Sequence, residues 1–295
     1  MQILITGGTG FIGKKLCQKL VEDCYEITVL TRQKNLAPSK NIQYIHSLSQ
    51  KDFNYDIIIN LAGEPISQNW STKNKKKIYE SRIGLTRNLV DKINSAKKSP
   101  SLFISGSAIG YYGYDAGILY DENSKITLNH NIFSQSICHD WEIAAAIKSQ
   151  ETRLVKIRTG IVLGKNGGAL KKMLIPFKLG LGGKIGSGEQ FMSWIDIDDA
   201  INAINFIIKN NKISGAVNLT SPNPVSNANF SKTLASIVKR PCIFDMPKFI
   251  TEILFGQMGK ELLLKGQKVY PQTLLQNGFE FKYSDLEKSL SKILR

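Results

Sequence analysis

Thr6-Gly7-Gly8-Thr9-Gly10-Phe11-Ile12-Gly13 is the segment of this 295-residue chain best built to hold a ligand. Its glycines have GxxGxxG spacing. They follow a short apolar run, Gln2–Thr6, and open a stretch of helical periodicity, Phe11–Glu22. In that setting Gly7 permits a tight turn out of a strand, Gly10 lets main chain approach a pyrophosphate, and Gly13 lets a helix lie close to a sheet. Free N–H groups at the helix start then face the phosphates. Gly7, Thr9, Gly10, Phe11, Ile12 and Gly13 are therefore candidate residues of a dinucleotide cradle. The end of the next apolar run, Glu26–Thr31, selects the dinucleotide. An acid there would hold the ribose hydroxyl of NAD, whereas this chain has Thr31-Arg32-Gln33. A guanidinium suits a 2′-phosphate, so NADP(H) is the expected cofactor, with Thr31 and Arg32 at its adenosine end.

The elements that must position these groups alternate along the chain. Strands are expected at Gln2–Thr6, Glu26–Thr31, Asn41–His46, Asp56–Leu61, Ser101–Ser105 and Thr152–Arg158. Helices are expected at Phe11–Glu22, Thr72–Ala96 and Ile132–Lys148. Apolar strands alternating with helices imply a doubly wound parallel sheet covered on both faces, an α/β fold of Rossmann type. After Gly160 the pattern changes. Residues 164–188 are rich in Gly and Lys around one short helix, Ala169–Leu179. Phe191–Ile195, a helix at Asp198–Lys209 and a strand at Ala216–Thr220 follow, then a proline-punctuated tail of short helices. The expected organisation is a dinucleotide-binding domain over 1–163, to which 191–220 return, and a smaller, mainly helical C-terminal lobe over 164–295.

Composition limits the alternatives. Hydrophobic residues make up 42% and charged residues 21%, as in ordinary globular chains. No apolar run is long enough to span a bilayer, so no membrane partner is expected. The four cysteines are far apart with no CxxC, which argues against zinc or a disulfide framework and for a reducing cytoplasm. The net charge of +15 is partly local: residues 71–99 hold nine basic and two acidic side chains. No interleaved aromatics or zinc-finger spacing accompany it, so a solvated helix face is expected and no nucleic acid.

Further motifs carry a family resemblance. TGGTGFIG and then Asn60-Leu61-Ala62-Gly63 resemble the extended short-chain dehydrogenase/reductase superfamily, which includes nucleotide-sugar epimerases and dehydratases. More narrowly, Asn60–Ile66, Ser81-Arg82, the run Ser105–Gly113, Arg158–Gly164, Pro176–Gly188 and Gly266–Pro271 resemble one atypical epimerase-family branch, that of the YfcH-like and family 39U proteins. The resemblance covers nearly the whole chain and implies a small family-specific C-terminal domain at about 245–295. It implies that Leu61, Ala62 and Gly63 run along the adenine ribose and pyrophosphate, that Arg82 serves NADP binding, and that Ser105 and Val162 border the cofactor. Arg82 as an exposed helix arginine and Val162 as plain core remain the alternatives.

The resemblance also implies a catalytic Ser, Tyr and Lys, the tyrosine acting as general acid/base. Ser107 matches the serine. The helix near residue 133 offers no tyrosine with lysine four residues on; Ser134 and Cys138 occupy those slots, with Glu142 continuing the same face. A serine hydroxyl is a far weaker acid than a phenol, and a cysteine supplies no fixed positive charge. Tyr111 or Tyr112, in the loop after Ser107, either replaces the missing phenol or forms an aromatic wall. Cys138 is a reactive thiol or a small buried hydrophobe. His130 and His139 read as surface residues. Phe177, Lys184 and Gln190 are candidates for a cleft taking a small-molecule substrate, an anion or a nucleotide sugar being options. Asp198 reads as a helix N-cap and Asp196 as part of the turn before it. The expected function is an NADP(H)-binding epimerase or oxidoreductase with an altered catalytic set, or else a non-enzymatic NADP(H)-binding regulator.

Overall fold

The computed structural model of the protein describes residues 1–48, 53–115 and 117–295. Seven parallel strands form its central sheet: β1 (Gln2–Thr6), β2 (Glu26–Leu30), β3 (Ile42–Ile45), β4 (Ile57–Asn60), β5 (Leu102–Ala108), β6 (Arg153–Thr159) and β7 (Gly215–Leu219). Their order is β3-β2-β1-β4-β5-β6-β7. The order reverses between β1 and β4, and the crevice beyond their carboxyl ends is where such sheets bind ligands. The helices are α1 (Phe11–Glu22), α2 (Thr72–Tyr79), α3 (Leu85–Ser95), α4 (Phe133–Ala144), α5 (Gly168–Lys178), α6 (Ile197–Lys209), α7 (Asn227–Ile237), α8 (Lys248–Leu262), α9 (Gln272–Gln276) and α10 (Leu286–Leu294).

The central strands β1, β4 and β5 are largely apolar and buried because both faces are covered, whereas β6 carries Arg153, Lys156 and Arg158. Ile3, Ile5, Ile57 and Ile59 pack with Leu16 and Leu20 of α1 and Ala200 and Ile204 of α6. The alternate residues Leu4, Ile58 and Phe103 pack with Leu89 and Ile93 of α3. A second core, with Leu170, Phe177, Trp194, Phe230 and Leu290, holds α5, α7 and α10 together. Among the described residues no helix is long and apolar enough to cross a membrane.

Three local expectations need correction. The helix expected over Thr72–Ala96 is broken by a π-type turn at Glu80–Gly84, which separates α2 from α3. The turn aims Ser81 and Arg82 at the loop after β4: the Glu64 N–H donates to Ser81 Oγ at 2.9 Å, and Arg82 Nη1 donates to the Glu64 carbonyl at 3.0 Å. Phe191–Ile195 divides at Ser193. Phe191–Met192 pairs antiparallel with Val225–Ser226, and Trp194–Asp196 pairs parallel with Ile161–Leu163. Between them Ser193 Oγ donates to the Gln267 carbonyl and accepts the Val269 N–H, which ties the break to the C-terminal segment. The N-cap of α6 is Asp196, not Asp198. Asp196 Oδ1 accepts the Asp198 N–H at 2.8 Å, and its carboxylate also takes Ser289 Oγ and Lys292 Nζ. Asp198 lies in the first turn of α6 and pairs with Lys15 and Lys292.

Candidate functional site

The glycine loop joins β1 to α1 at the switch point. Gly7 has φ +72°, and a Cβ there would fall 2.7 Å from the Leu61 carbonyl carbon. A Cβ on Gly13 would lie 2.2 Å from the Gly7 carbonyl oxygen. Only glycine allows this approach of loop, helix and the Leu61–Gly63 turn, and the surface it leaves is a cradle of main-chain N–H groups. Thr9, Phe11 and Ile12 stay half-exposed along it. The Phe11 ring supports the other wall, since Cβ atoms on Gly164, Gly167 or Gly168 would strike it at 2.4–3.0 Å.

A buried chain of hydrogen bonds fixes the floor. The Ala62 N–H donates to Thr6 Oγ1, which donates to Asn60 Oδ1 at 2.6 Å; Asn60 Nδ2 donates to Thr86 Oγ1 at 2.8 Å, and Trp141 Nε1 donates to the same hydroxyl. Thr86 Oγ1 in turn donates to the Arg82 carbonyl. Arg82 stands behind Gly63, its guanidinium carbon 5.3 Å from the Trp141 ring, and therefore shapes the loop from below. Arg32 is different. Its side chain is 92% exposed at the end of β2 and lies 3.7 Å from the Glu64 carboxylate. Thr31 is buried, and its hydroxyl accepts the Gln33 N–H.

Ser107 does not face open space. Its hydroxyl donates to Glu142 Oε1 at 2.8 Å, on the α4 face that also carries Ser134 and Cys138. Arg158, beside Ser107 in β6, grips the same carboxylate with Nε and Nη2 at 2.8 and 3.0 Å, and Lys156 lies 3.4 Å from it. The side chains of Glu142 and Arg158 are 4% and 5% exposed. Burial pushes the Glu142 carboxyl upward, but the hydrogen bonds and charge of Arg158, with Lys156 and Ser107, hold it below the ordinary carboxylate value. Arg158 Nη1 also donates to the Tyr112 hydroxyl, which donates to Asn218 Oδ1 at 2.7 Å. Burial raises that phenol to about 12. Tyr112 is thus part of this buried network, its phenol committed to Arg158 and Asn218. Tyr111 remains half-exposed, with its ring 3.6 Å above the Arg158 guanidinium.

The slot of the absent tyrosine is reached from elsewhere in the chain. Ser134 Oγ lies 2.5 Å from the hydroxyl of Tyr114, and both are within reach of Glu261 Oε2, at 2.9 and 3.2 Å. Glu261 comes from α8. It also accepts the N–H groups of Phe133 and Ser134 and so caps α4, while Gln257 links it to Lys75. Burial pushes the Tyr114 phenol well above its usual value. Cys138 is sealed under Gly110, and burial raises its thiol to about 12. Ellman's reagent on the native protein is expected to react readily with Cys24, which is exposed, and to reach Cys138 and Cys17 only after unfolding. Modification of native Cys138 would show that its side of α4 opens.

Other expected positions are less direct. Ser105 is wholly buried in the sheet, where its hydroxyl reaches the Gly106 carbonyl. Val162 belongs to the main core. Phe177 is core of the C-terminal lobe, Gln190 ties the carbonyls of Ile185 and Leu263, and Lys184 lies 3.7 Å from Asp245. Glu142, Arg158, Tyr114 and Glu261 were not picked out as a set by sequence. The available signal was a strand, Arg153–Thr159, carrying three cations, which calls for an acid nearby if any of them is buried.

A glycine cradle at the switch point of a seven-stranded parallel sheet defines a Rossmann-type protein of the extended short-chain dehydrogenase/reductase class. Residues 3–220 match the model of the NAD dependent epimerase/dehydratase family, and the chain belongs to that family. Residues 246–293 match a domain family of unknown function, DUF1731. The chain is 38% identical over 306 residues to the epimerase family protein SDR39U1 homolog, chloroplastic, of Arabidopsis thaliana, covering all of this chain and 87% of that protein. It is 37% identical over 301 residues to epimerase family protein YfhF of Bacillus subtilis, covering all of this chain and 98% of that one. The crystal structure of human epimerase family protein SDR39U1 with NADPH superposes with a TM-score of 0.92 at 33% identity over 99% of both chains. A UDP-glucuronic acid 4-epimerase of Bacillus cereus, 17% identical, shares the fold with a TM-score of 0.78 over 99% of this chain and 98% of that one.

Proposed function

We propose that the chain binds NADP(H) at the glycine cradle and acts on a small molecule as an oxidoreductase or epimerase-like protein without the tyrosine–lysine pair. The cradle carries this reading: Gly7 and Gly13 sit where any Cβ would collide with main chain, and what they leave open fits a pyrophosphate. The human relative solved with NADPH supports the choice of cofactor. When bound, the nicotinamide supplies hydride exchange with a carbonyl or carbinol carbon. The protein's own groups do the rest. The N–H groups at the start of α1 receive the pyrophosphate, the Thr6–Asn60–Thr86 chain holds the Leu61–Gly63 turn rigid, and Arg32 is placed to leave Glu64 for a 2′-phosphate. A reducing cytoplasm suits its free thiols, and nucleic acid is no part of this reading.

A second reading, a non-enzymatic NADP(H)-binding regulator, is favoured by one observation. Ser107 and Cys138 are both committed to buried contacts and present nothing to a substrate.

Titration calorimetry tests the cofactor. NADPH is expected to bind about ten- to a hundredfold more tightly than NADH, the scale of a charge-assisted hydrogen bond, and Arg32→Asp to erase or reverse the preference. Equal affinities in the parent protein would overturn the NADP assignment. NADPH consumption in the presence of ketones and nucleotide sugars separates the two readings, since only the enzyme turns over.

A further inference from the structure

We propose that the protein docks on an anionic membrane surface through one face of its C-terminal lobe. Among the described residues, eight of the twelve large apolar side chains left exposed fall within 175–181 and 243–254. Ile175 and Leu179 are one turn apart at the end of α5, and Phe249 and Ile253 are one turn apart at the start of α8. Their exposures run from 63% to 77%.

A small ribbon joins the two helices. The Phe244 N–H donates to the Gly182 carbonyl at 3.1 Å, the Met246 N–H donates to the Lys184 carbonyl at 2.8 Å, and Arg240 Nε donates to the Lys178 carbonyl at 3.1 Å. A Cβ on Gly183 would lie 2.2 Å from the Phe244 carbonyl oxygen, so the two segments are in close register. Soluble monomers rarely leave apolar groups clustered in this way without a use for them.

The charge on the same segments selects the occupant. Residues 171–184 and 239–254 carry seven Lys or Arg against two acids. The acids, Asp245 and Glu252, already lie 3.7 and 3.9 Å from Lys184 and Lys248. A second copy of the chain across a two-fold axis would set these cations against themselves. Nucleic acid has no use for exposed Leu, Ile and Phe. A bilayer bearing anionic headgroups takes both, with apolar tips at the acyl boundary and the lysines among the headgroups. The expectation of no membrane partner came from the absence of one long apolar run. A surface attachment needs none, and here its residues come from separate segments.

Flotation with phosphatidylcholine vesicles, with and without phosphatidylglycerol, tests the proposal. The bound fraction is expected to be at least about tenfold larger on the anionic vesicles and to fall as salt is raised. Phe249→Ser/Ile253→Ser alters two exposed side chains. It is expected to reduce binding about tenfold while melting temperature and NADPH affinity stay as in the parent. Lys178→Glu/Lys239→Glu is expected to do the same through charge. Absence of flotation on anionic vesicles, flotation untouched by both variants, or a parent dimer that the apolar variant converts to monomer would each overturn it. The NADPH affinities stand apart from these results, so failure here and failure of the cofactor assignment are distinguishable.

Discussion

Gly13→Ala is expected to weaken NADPH binding by about 100-fold or more, roughly 2.7 kcal/mol. The reason is a collision between backbones. The added Cβ would fall 2.2 Å from the Gly7 carbonyl oxygen and 2.7 Å from Gly8 Cα, and neither atom belongs to a side chain that can swing away. Helix α1 would have to move off the loop, taking with it the N–H groups that face the phosphates. Gly10→Ala makes the useful comparison. Its Cβ would meet one atom, the Gly7 carbonyl oxygen at 3.1 Å, and would otherwise project into the ligand's space. That variant is expected to melt like the parent and still lose affinity. Parent-like NADPH affinity in a folded Gly13→Ala protein, or in Gly10→Ala, would remove the cradle from this site.

Glu142→Ala is expected to lower stability by about 3–5 kcal/mol, because it leaves the Arg158 guanidinium buried without its counter-charge. In a chain of this size the melting temperature should fall by roughly 5–10 °C. Arg158→Met should cost a similar amount. The pair Glu142→Leu/Arg158→Met should cost clearly less than the sum, since neither charge then remains uncompensated. The pH dependence has a definite sign. The folded carboxyl titrates below its ordinary value of 4.5. Its stabilisation is therefore complete above about 4.5 and is lost as pH falls through the lower folded value. Glu142→Gln should flatten that part of the acid limb. Single variants costing under about 1 kcal/mol in urea unfolding would mean that the grip of Arg158 on Glu142 is energetically idle.

What could be read from the chain alone was what lies close together in it. The cradle occupies seven consecutive residues after a strand, Gly7–Gly13, and its spacing names both its ligand class and its helix. The apolar runs gave the first six sheet strands to within a few residues because each holds at least two aliphatic residues that pack against the flanking helices or neighbouring strands. The network under Ser107 was harder. Glu142 was placed on the right helix face, but only the fold brings Arg158, Tyr112 and Asn218 to it from three other segments. Glu261 is 127 residues from Ser134, and no local pattern links a helix N-terminus to a carboxylate so far along the chain. The π-type turn at Glu80–Gly84 escaped notice for a different reason. Its residues have ordinary helical propensity, and what opens the turn is the loop that Ser81 and Arg82 hold.

The position of β7 bears on how the protein is made. β6 ends at Thr159, but its edge is covered only by Gly215–Leu219, after α5 and α6 have been synthesised. At ordinary translation rates that gap of about 60 residues lasts roughly 3–12 seconds. Throughout it a nascent chain carries six strands ending in an open edge through Val155 and Ile157, a template for pairing with a neighbouring ribosome's product. The arrival of β7 covers β6 and leaves the shorter Gly215–Leu219 as the edge, where Glu122 takes the Asn218 N–H, so the interval in which the longer β6 edge lies open is set by the length of the insertion between the last two sheet strands.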